Sequence, residues 1–137
     1  MPFIQQFDDT MQLLQKVLDL RSRNQQIISS NIANSDTPGY SPASFQFEDQ
    51  LREALDGGEL RPVASRPGHI SITPATVTDV QGELHRTRDQ TGIGDENGVQ
   101  VEQEMIKLSE NQILYEAAIS MLNKKLAILK YTANDGR

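Results

Sequence analysis

The sequence predicts a mainly α-helical protein in which long N- and C-terminal helices pair as an antiparallel coiled coil or bundle, with a loop-rich, weakly β middle segment between them. Three observations carry that expectation. Apolar residues gather at the two ends of the 137-residue chain, where they recur at steps of three and four. Five of the six prolines and most of the nine glycines fall between Pro38 and Gly98. Little apolar material is left for a separate core elsewhere, since the chain has no Trp, 5% aromatic and 36% hydrophobic residues, and a mean hydropathy of -0.51.

The first element runs from Phe3 to about Ala33. Ile4, Phe7, Met11, Leu14 and Leu18, then Ile28 and Ile32, alternate steps of three and four as a coiled-coil seam does. Arg21 and Gln25 interrupt the seam, a device that trades stability for register or partner choice. Leu13, Val17, Leu20 and Ile27 make a second apolar stripe beside the first. A helix with two stripes needs more than one neighbour, and alone it is marginal, because most helical stability comes from packing.

The helix ends at Asn31-Ile32-Ala33-Asn34-Ser35-Asp36-Thr37-Pro38-Gly39-Tyr40. Pro38 pushes Thr37 out of the helical region, and Gly39 takes the positive φ that the third position of a type II turn requires. Thr37 to Tyr40 is therefore expected to be a turn. Asn34 stands where a left-handed residue closes a helix, and the amides of Asn31 and Asn34 are placed to satisfy end carbonyls or a neighbouring chain.

From Ser41 to Gly98 neither helical nor strand periodicity is sustained. Phe45, Phe47, Leu51 and Leu55 mark a short extended piece or helical turn ending at Gly57-Gly58. His69 to Thr73 and Thr76 to Val80 are β-prone runs compatible with extended pieces or a small hairpin, and Gln81 to Gly98 reads as a mobile loop.

From Val99 to about Thr132 the periodicity returns. Val101, Leu108, Tyr115, Leu122 and Leu129 stand at intervals of seven, with Met105, Ile119 and Leu126 in the companion positions and Gln112 as the exception. A seven-residue repeat implies left-handed supercoiling against a partner. Ile106, Ile113, Leu114, Met121 and Ile128 add a second apolar face. Glu102 and Glu104 in the first turns and Lys124, Lys125 and Lys130 near the end match the helix dipole. The chain thus divides into residues 1–40, 41–98 and 99–137, the first and last forming one helical domain.

Several functions are disfavoured. A net charge of -6 and a pI near 4.8 argue against nucleic acid. No run is long enough to insert in a membrane, and the N-terminus lacks the basic and continuous apolar regions of a cleavable signal peptide. Without Cys there is no thiolate chemistry, and His69 and His85 lack the companion spacing of a metal site. The carboxylate pairs Asp8/Asp9, Asp95/Glu96 and Glu102/Glu104 fit solvated helix ends better than an acid-base pocket. Gly92-Ile93-Gly94 lacks the third glycine and preceding strand of a dinucleotide site. No enzyme and no cofactor is expected.

The stretch Ser30-Asn31-Ile32-Ala33-Asn34, two residues, then Thr37-Pro38-Gly39-Tyr40 resembles the N-terminal signature of bacterial flagellar rod and hook proteins. The preceding Leu20-Arg21-Ser22-Arg23-Asn24-Gln25-Gln26-Ile27, the following Phe45-Gln46-Phe47-Glu48, Pro67-Gly68-His69-Ile70 and Asn97-Gly98-Val99 narrow the likeness to the flagella basal body rod proteins of the proximal rod. Members of the distal rod and hook carry an inserted outer domain for which this chain has no room. Glu96 and Gln100 depart from the family pattern, and with Gln100 at the N-cap the last helix begins without a capping carboxylate.

The resemblance implies an axial structural protein of the drive shaft between motor and filament, exported by the flagellar type III apparatus and assembled in the periplasm. Its implied partners are further copies of itself, other rod proteins, the rod-base junction protein and the membrane ring. Asn31, Ile32, Ala33, Asn34, Thr37, Pro38, Gly39 and Tyr40 would form the assembly motif. Ile4, Phe7, Met11, Leu14, Leu18, Ile28, Val101, Met105, Leu108, Tyr115, Ile119, Leu122, Leu126 and Leu129 would pack the helices. A soluble coiled-coil adaptor or export chaperone of fixed stoichiometry is the alternative function.

Overall fold

The computed structural model describes residues 2–56, 76–87 and 98–134, with only the backbone of residues 2–7. Helix α1 spans Pro2–Ala33, strand β1 Ala43–Gln46, helix α2 Glu48–Leu55, strand β2 Glu83–Arg86 and helix α3 Val101–Ala133, with a single 3₁₀ turn at Val77–Asp79. The mainly helical fold read from the sequence is the observed one. Helices α1 and α3 run antiparallel, since Asn31 reaches Glu104 while Arg21 and Asn24 reach Asn111.

Helix α1 holds its length because no Gly or Pro interrupts it and Pro2 occupies the first helical position, where a missing N–H costs nothing. Its two stripes serve two neighbours. On the first stripe Leu14 and Ile28 are buried, Ile28 beside α3 residues Asn111 and Leu114, with Met11 and Leu18 half-buried. The side chains of Ile4 and Phe7 lie outside the described residues. On the second stripe Leu20 is buried with Phe45, Phe47 and Val80 in one apolar cluster, and Ile27, Leu51 and Ala54 pack against it.

The described residues of the middle segment hold regular elements that its texture does not announce. Strand β1 pairs antiparallel with β2 in the register Ala43–Arg86 to Gln46–Glu83. Ala43, Phe45 and Phe47 point inward while Ser44 and Gln46 are exposed. Residues 83–86, expected to be loop, are thus a strand. The pairing is long-range and leaves no local periodicity to read.

Thr76 to Val80 is likewise not extended. The Thr76 hydroxyl and backbone N–H both donate to the Asp79 carboxylate, at 2.7 and 3.2 Å, and Asp79 N–H donates to Thr76 O at 3.0 Å. Those bonds close a 3₁₀ turn despite the β-prone composition, and the turn drops Val80 fully into the core. Gly57, Gly58 and the His69 to Thr73 run lie outside the described residues.

Arginines of α1 cover the aromatic pair. The Arg21 guanidinium lies 4.9 Å from the Phe47 ring centre and that of Arg23 5.0 Å from Phe45, with the two rings 5.5 Å apart. Lys16 donates to Thr78 O and Arg23 to Gln81 O, so α1 holds the 3₁₀ turn and the approach to β2 by their carbonyls.

Helix α3 begins after Gln100, whose side chain makes no capping bond, and ends at Asn134, whose N–H donates to Lys130 O at 3.1 Å. Its packed face is not the one the apolar heptads predict. Leu108, Tyr115, Ile119 and Leu122 are half-buried, but the fully buried positions are Glu104, Asn111 and Ala118. Val101, Met105, Leu126 and Leu129 are exposed and do not lie within the seam. The helix is turned so that the row one residue before Met105, Gln112 and Ile119 meets α1. The reason is polar: α1 offers Arg21, Asn24 and Asn31 along that line, and from α3 Glu104 and Asn111 answer them.

Candidate assembly site

The chain leaves α1 through a chain of short-range bonds. Asn34 N–H and its side-chain amide both donate to Ser30 O, at 3.1 and 2.8 Å, closing one of the last helical carbonyls twice. Thr37 N–H donates to Asn34 O and its hydroxyl to Asn34 Oδ1. Tyr40 N–H then donates to Thr37 O at 3.2 Å across Pro38 and Gly39, and Gly39 has φ +73°. The expected turn from Thr37 to Tyr40 is therefore formed, with the residue of positive φ where a type II turn needs it.

Asn31, only 1% exposed, is the centre of the arrangement. Its amide nitrogen donates to Ala43 O at 2.7 Å and to Glu104 Oε2 at 2.8 Å, while its oxygen accepts from Ala43 N–H at 3.0 Å and from the Tyr40 hydroxyl at 3.1 Å. Two donor and two acceptor capacities are all filled. One side chain thereby joins α1, the Pro38-Gly39 turn, the start of β1 and the first turn of α3. Ser30 Oγ lies 3.4 Å from the same Tyr40 hydroxyl.

Glu104 brings a carboxylate into the closed end of the helix pair at 6% exposure. It is held by Asn31 on one oxygen and by Lys107 Nζ at 2.6 Å on the other, and it sits in the first turn of α3, where the helix dipole favours an anion. Two turns along, Asn111 repeats the pattern. Its Nδ2 donates to Arg21 O at 2.9 Å, and its Oδ1 accepts from Asn24 at 3.2 Å and Arg21 at 3.4 Å. Arg21 also reaches Glu48 at 3.3 Å, which ties the start of α2 to the same helix. A groove of about 280 Å³ runs between β1 and α3 over Arg21, Asn24 and Ile28.

Of the two roles open to these amides, end carbonyls or a neighbouring chain, the contacts described are within the chain. Asn31 is saturated internally, and Asn34 and Thr37 serve the turn. Ile32 and Tyr40 are half-buried, while Ala33, Thr37, Pro38 and Gly39 are exposed, so the motif presents outward a polar and backbone surface at the turn tip. A Cβ built on Gly39 would meet nothing within 4 Å.

Sequence reading missed Glu104 and Asn111 as contacts. Their signal is present as the seven-residue polar and small row Glu104, Asn111, Ala118 and Lys125, which runs beside the apolar heptads. The apolar residues of α3 are in turn left outside: Ile106, Ile113, Met121, Ile128 and Tyr131 are each between 57 and 66% exposed. Among the described residues no group of His, Asp or Glu is placed to hold a metal, and no helix is long and apolar enough to cross a membrane.

Comparison with known proteins bears on the family. The family model described as "Flagella basal body rod protein" matches residues 12–40, which include most of α1 and the turn after it. The chain is 30% identical over 122 residues to flagellar basal body rod protein FlgB of Aeromonas hydrophila, covering 88% of this chain and 89% of the relative. It is 30% identical over 131 residues to FlgB of Yersinia enterocolitica, covering 90% and 92%. With FlgB of Proteus mirabilis the identity is 26% over 138 residues, covering 97% and 99%.

Proposed function

Because the chain belongs to the flagella basal body rod protein family, we propose that it is a structural subunit of the proximal rod, part of the shaft that carries torque from motor to hook and filament. The observation that carries this reading is the outer face of α3. A 33-residue helix packs a polar and small row against its own chain and leaves Ile106, Ile113, Met121 and Ile128 exposed. Apolar surface of that extent on a monomer calls for a protein partner. In a rod, neighbouring subunits supply it, and the terminal helices are the natural contacts for self-assembly.

The partners on this reading are further copies of the chain, other rod proteins, the junction protein at the rod base and the membrane ring. Export through the flagellar type III apparatus without signal cleavage delivers it to the periplasm. The Pro38-Gly39 turn, exposed and rigidly tied to α1 and α3 by Asn31, is the docking tip against the next subunit. The role is structural rather than catalytic.

Deletion and complementation test the proposal. Cells without the chain should be non-motile and build no rod, and the restored protein should co-purify with basal bodies. Recovery only from the cytosol, bound at fixed stoichiometry to an export substrate, would instead identify an adaptor.

A further inference from the structure

The outer face of α3 has the same pattern in both directions. About Ala117 as centre, Ile113 and Met121 stand four residues to either side, Glu110 and Lys124 seven, and Ile106 and Ile128 eleven. On a helix of 3.6 residues per turn, all seven fall within about 80° of arc, away from the row that meets α1. Ile106, Ile113, Met121 and Ile128 are 60, 66, 59 and 57% exposed.

Charge on this helix is also divided. Glu102, Glu104, Glu110 and Glu116 lie in its first half, where Lys107 is the one cation and is paired with Glu104, and Lys124, Lys125 and Lys130 lie in its second. A parallel pair in register would set Glu110 against Glu110 and Lys124 against Lys124. An antiparallel pair sets Glu110 against Lys124 twice, Ile113 against Met121 twice and Ile106 against Ile128 twice. Ala117 then meets itself where the axes are closest, and its small side chain permits that approach. The outer face of α1 offers no such match, because it carries the exposed Asp8, Asp9, Gln12, Gln15 and Asp19.

The geometry points to a second copy of this chain as the occupant of the α3 face, docked antiparallel about a twofold axis at Ala117. The contact is isologous and closes as a dimer. It does not depend on the rod reading. Where that reading holds, a shaft whose subunits share one polarity has no twofold axis across this face, so the pair belongs to the free chain and separates before incorporation.

Sedimentation equilibrium of the purified full chain should give a monomer–dimer equilibrium in the micromolar range. A chain that stays monomeric leaves the face to a different partner, and an open-ended series of oligomers replaces closure by head-to-tail growth; either result overturns the proposal. Lys124→Glu and Glu110→Lys should each raise the dimer dissociation constant about tenfold, by turning both ion pairs into repulsions. The double reversal should restore the original value, and a double variant as weak as either single refutes the pairing.

Orientation is read by crosslinking, which the absence of native cysteine makes simple. On mild oxidation Ala117→Cys should link to itself. Ile106→Cys should link to Ile128→Cys in a mixture and not to its own kind. Self-linking at position 106 would mean a parallel pair and defeat the proposal. Recovery of the protein in basal bodies is a separate measurement, so failure of the dimer and failure of the rod assignment are told apart.

Discussion

The carboxamide of Asn31 pairs with the backbone of Ala43 as a neighbouring strand would, donating to its carbonyl at 2.7 Å and accepting from its N–H at 3.0 Å. Strand β1 uses its other edge for β2, so Asn31 closes the start of an edge that a two-stranded sheet would leave open. The same amide nitrogen holds Glu104, so the sheet edge and the helix pair share one buried side chain.

Asn31→Ala should therefore cost about 3 kcal/mol or more, since it leaves Ala43 N–H and C=O and a Glu104 oxygen buried without their partner. Asn31→Asp should be worse, because the carboxylate cannot donate to Ala43 O and faces Glu104 as a like charge. Urea denaturation of the full chain measures both. Unchanged midpoints would show that the four-way bond is not made in solution.

Leu122→Ala should destabilise by about 1 to 2 kcal/mol, below the range for a fully buried leucine because the site is half-buried. Leu126→Ala, at a residue 45% exposed, should stay within about 0.5 kcal/mol. The order of the two costs reports which row of α3 faces α1. Equal losses would restore the seam expected from the apolar heptads.

Two glycines separate backbone strain from crowding. Gly39 has φ +73° with open space around a built Cβ, so Gly39→Ala should cost only about 1 to 2 kcal/mol of stability. Gly82 has φ +70°, and a Cβ there would fall 2.6 Å from Phe45 Cε2 and 3.1 Å from Phe47 Cβ. Gly82→Ala should cost about 2 to 4 kcal/mol, combining strain with overpacking. If Gly39→Ala proves the more damaging in thermal unfolding, the Phe45–Phe47 cluster is not packed as described. In the rod, Gly39→Val should be exported yet poorly recovered in basal bodies, and normal rods would make the turn a mere linker.

Arg21→Lys tests the guanidinium above Phe47. Arg21 covers the ring, reaches Glu48 and contacts Asn111, and a lysine ammonium cannot do all three. A loss of about 1 kcal/mol is expected. If raising the salt concentration erases that difference entirely, the contribution is ionic and the ring contact adds nothing.

Much of this molecule is legible along the chain. The spacing of Leu14, Leu18 and Ile28, and of Leu108, Tyr115 and Leu122, announces two long helices, because helical periodicity is a local property of residues a turn apart. Pro38 and Gly39 announce the turn from their own backbone restrictions. The family is legible for a similar reason: the motif from Ser30 to Tyr40 is contiguous, so its likeness needs no tertiary structure to be seen.

The tertiary structure alone decided which face of α3 turns inward. Two apolar rows compete on that helix, and burial of apolar area cannot choose between them, since it has no direction. Hydrogen bonds have direction, and the matching of Arg21 and Asn24 with Asn111, and of Asn31 with Glu104, settles the rotation. Strand β2 was decided in the same way. Glu83 to Arg86 become a strand only because β1 lies beside them, and that depends on Val80 and Gly82 delivering the chain at the end of the intervening residues 47–82. Local propensity ends where pairing begins, and long-range hydrogen bonding supplies the rest.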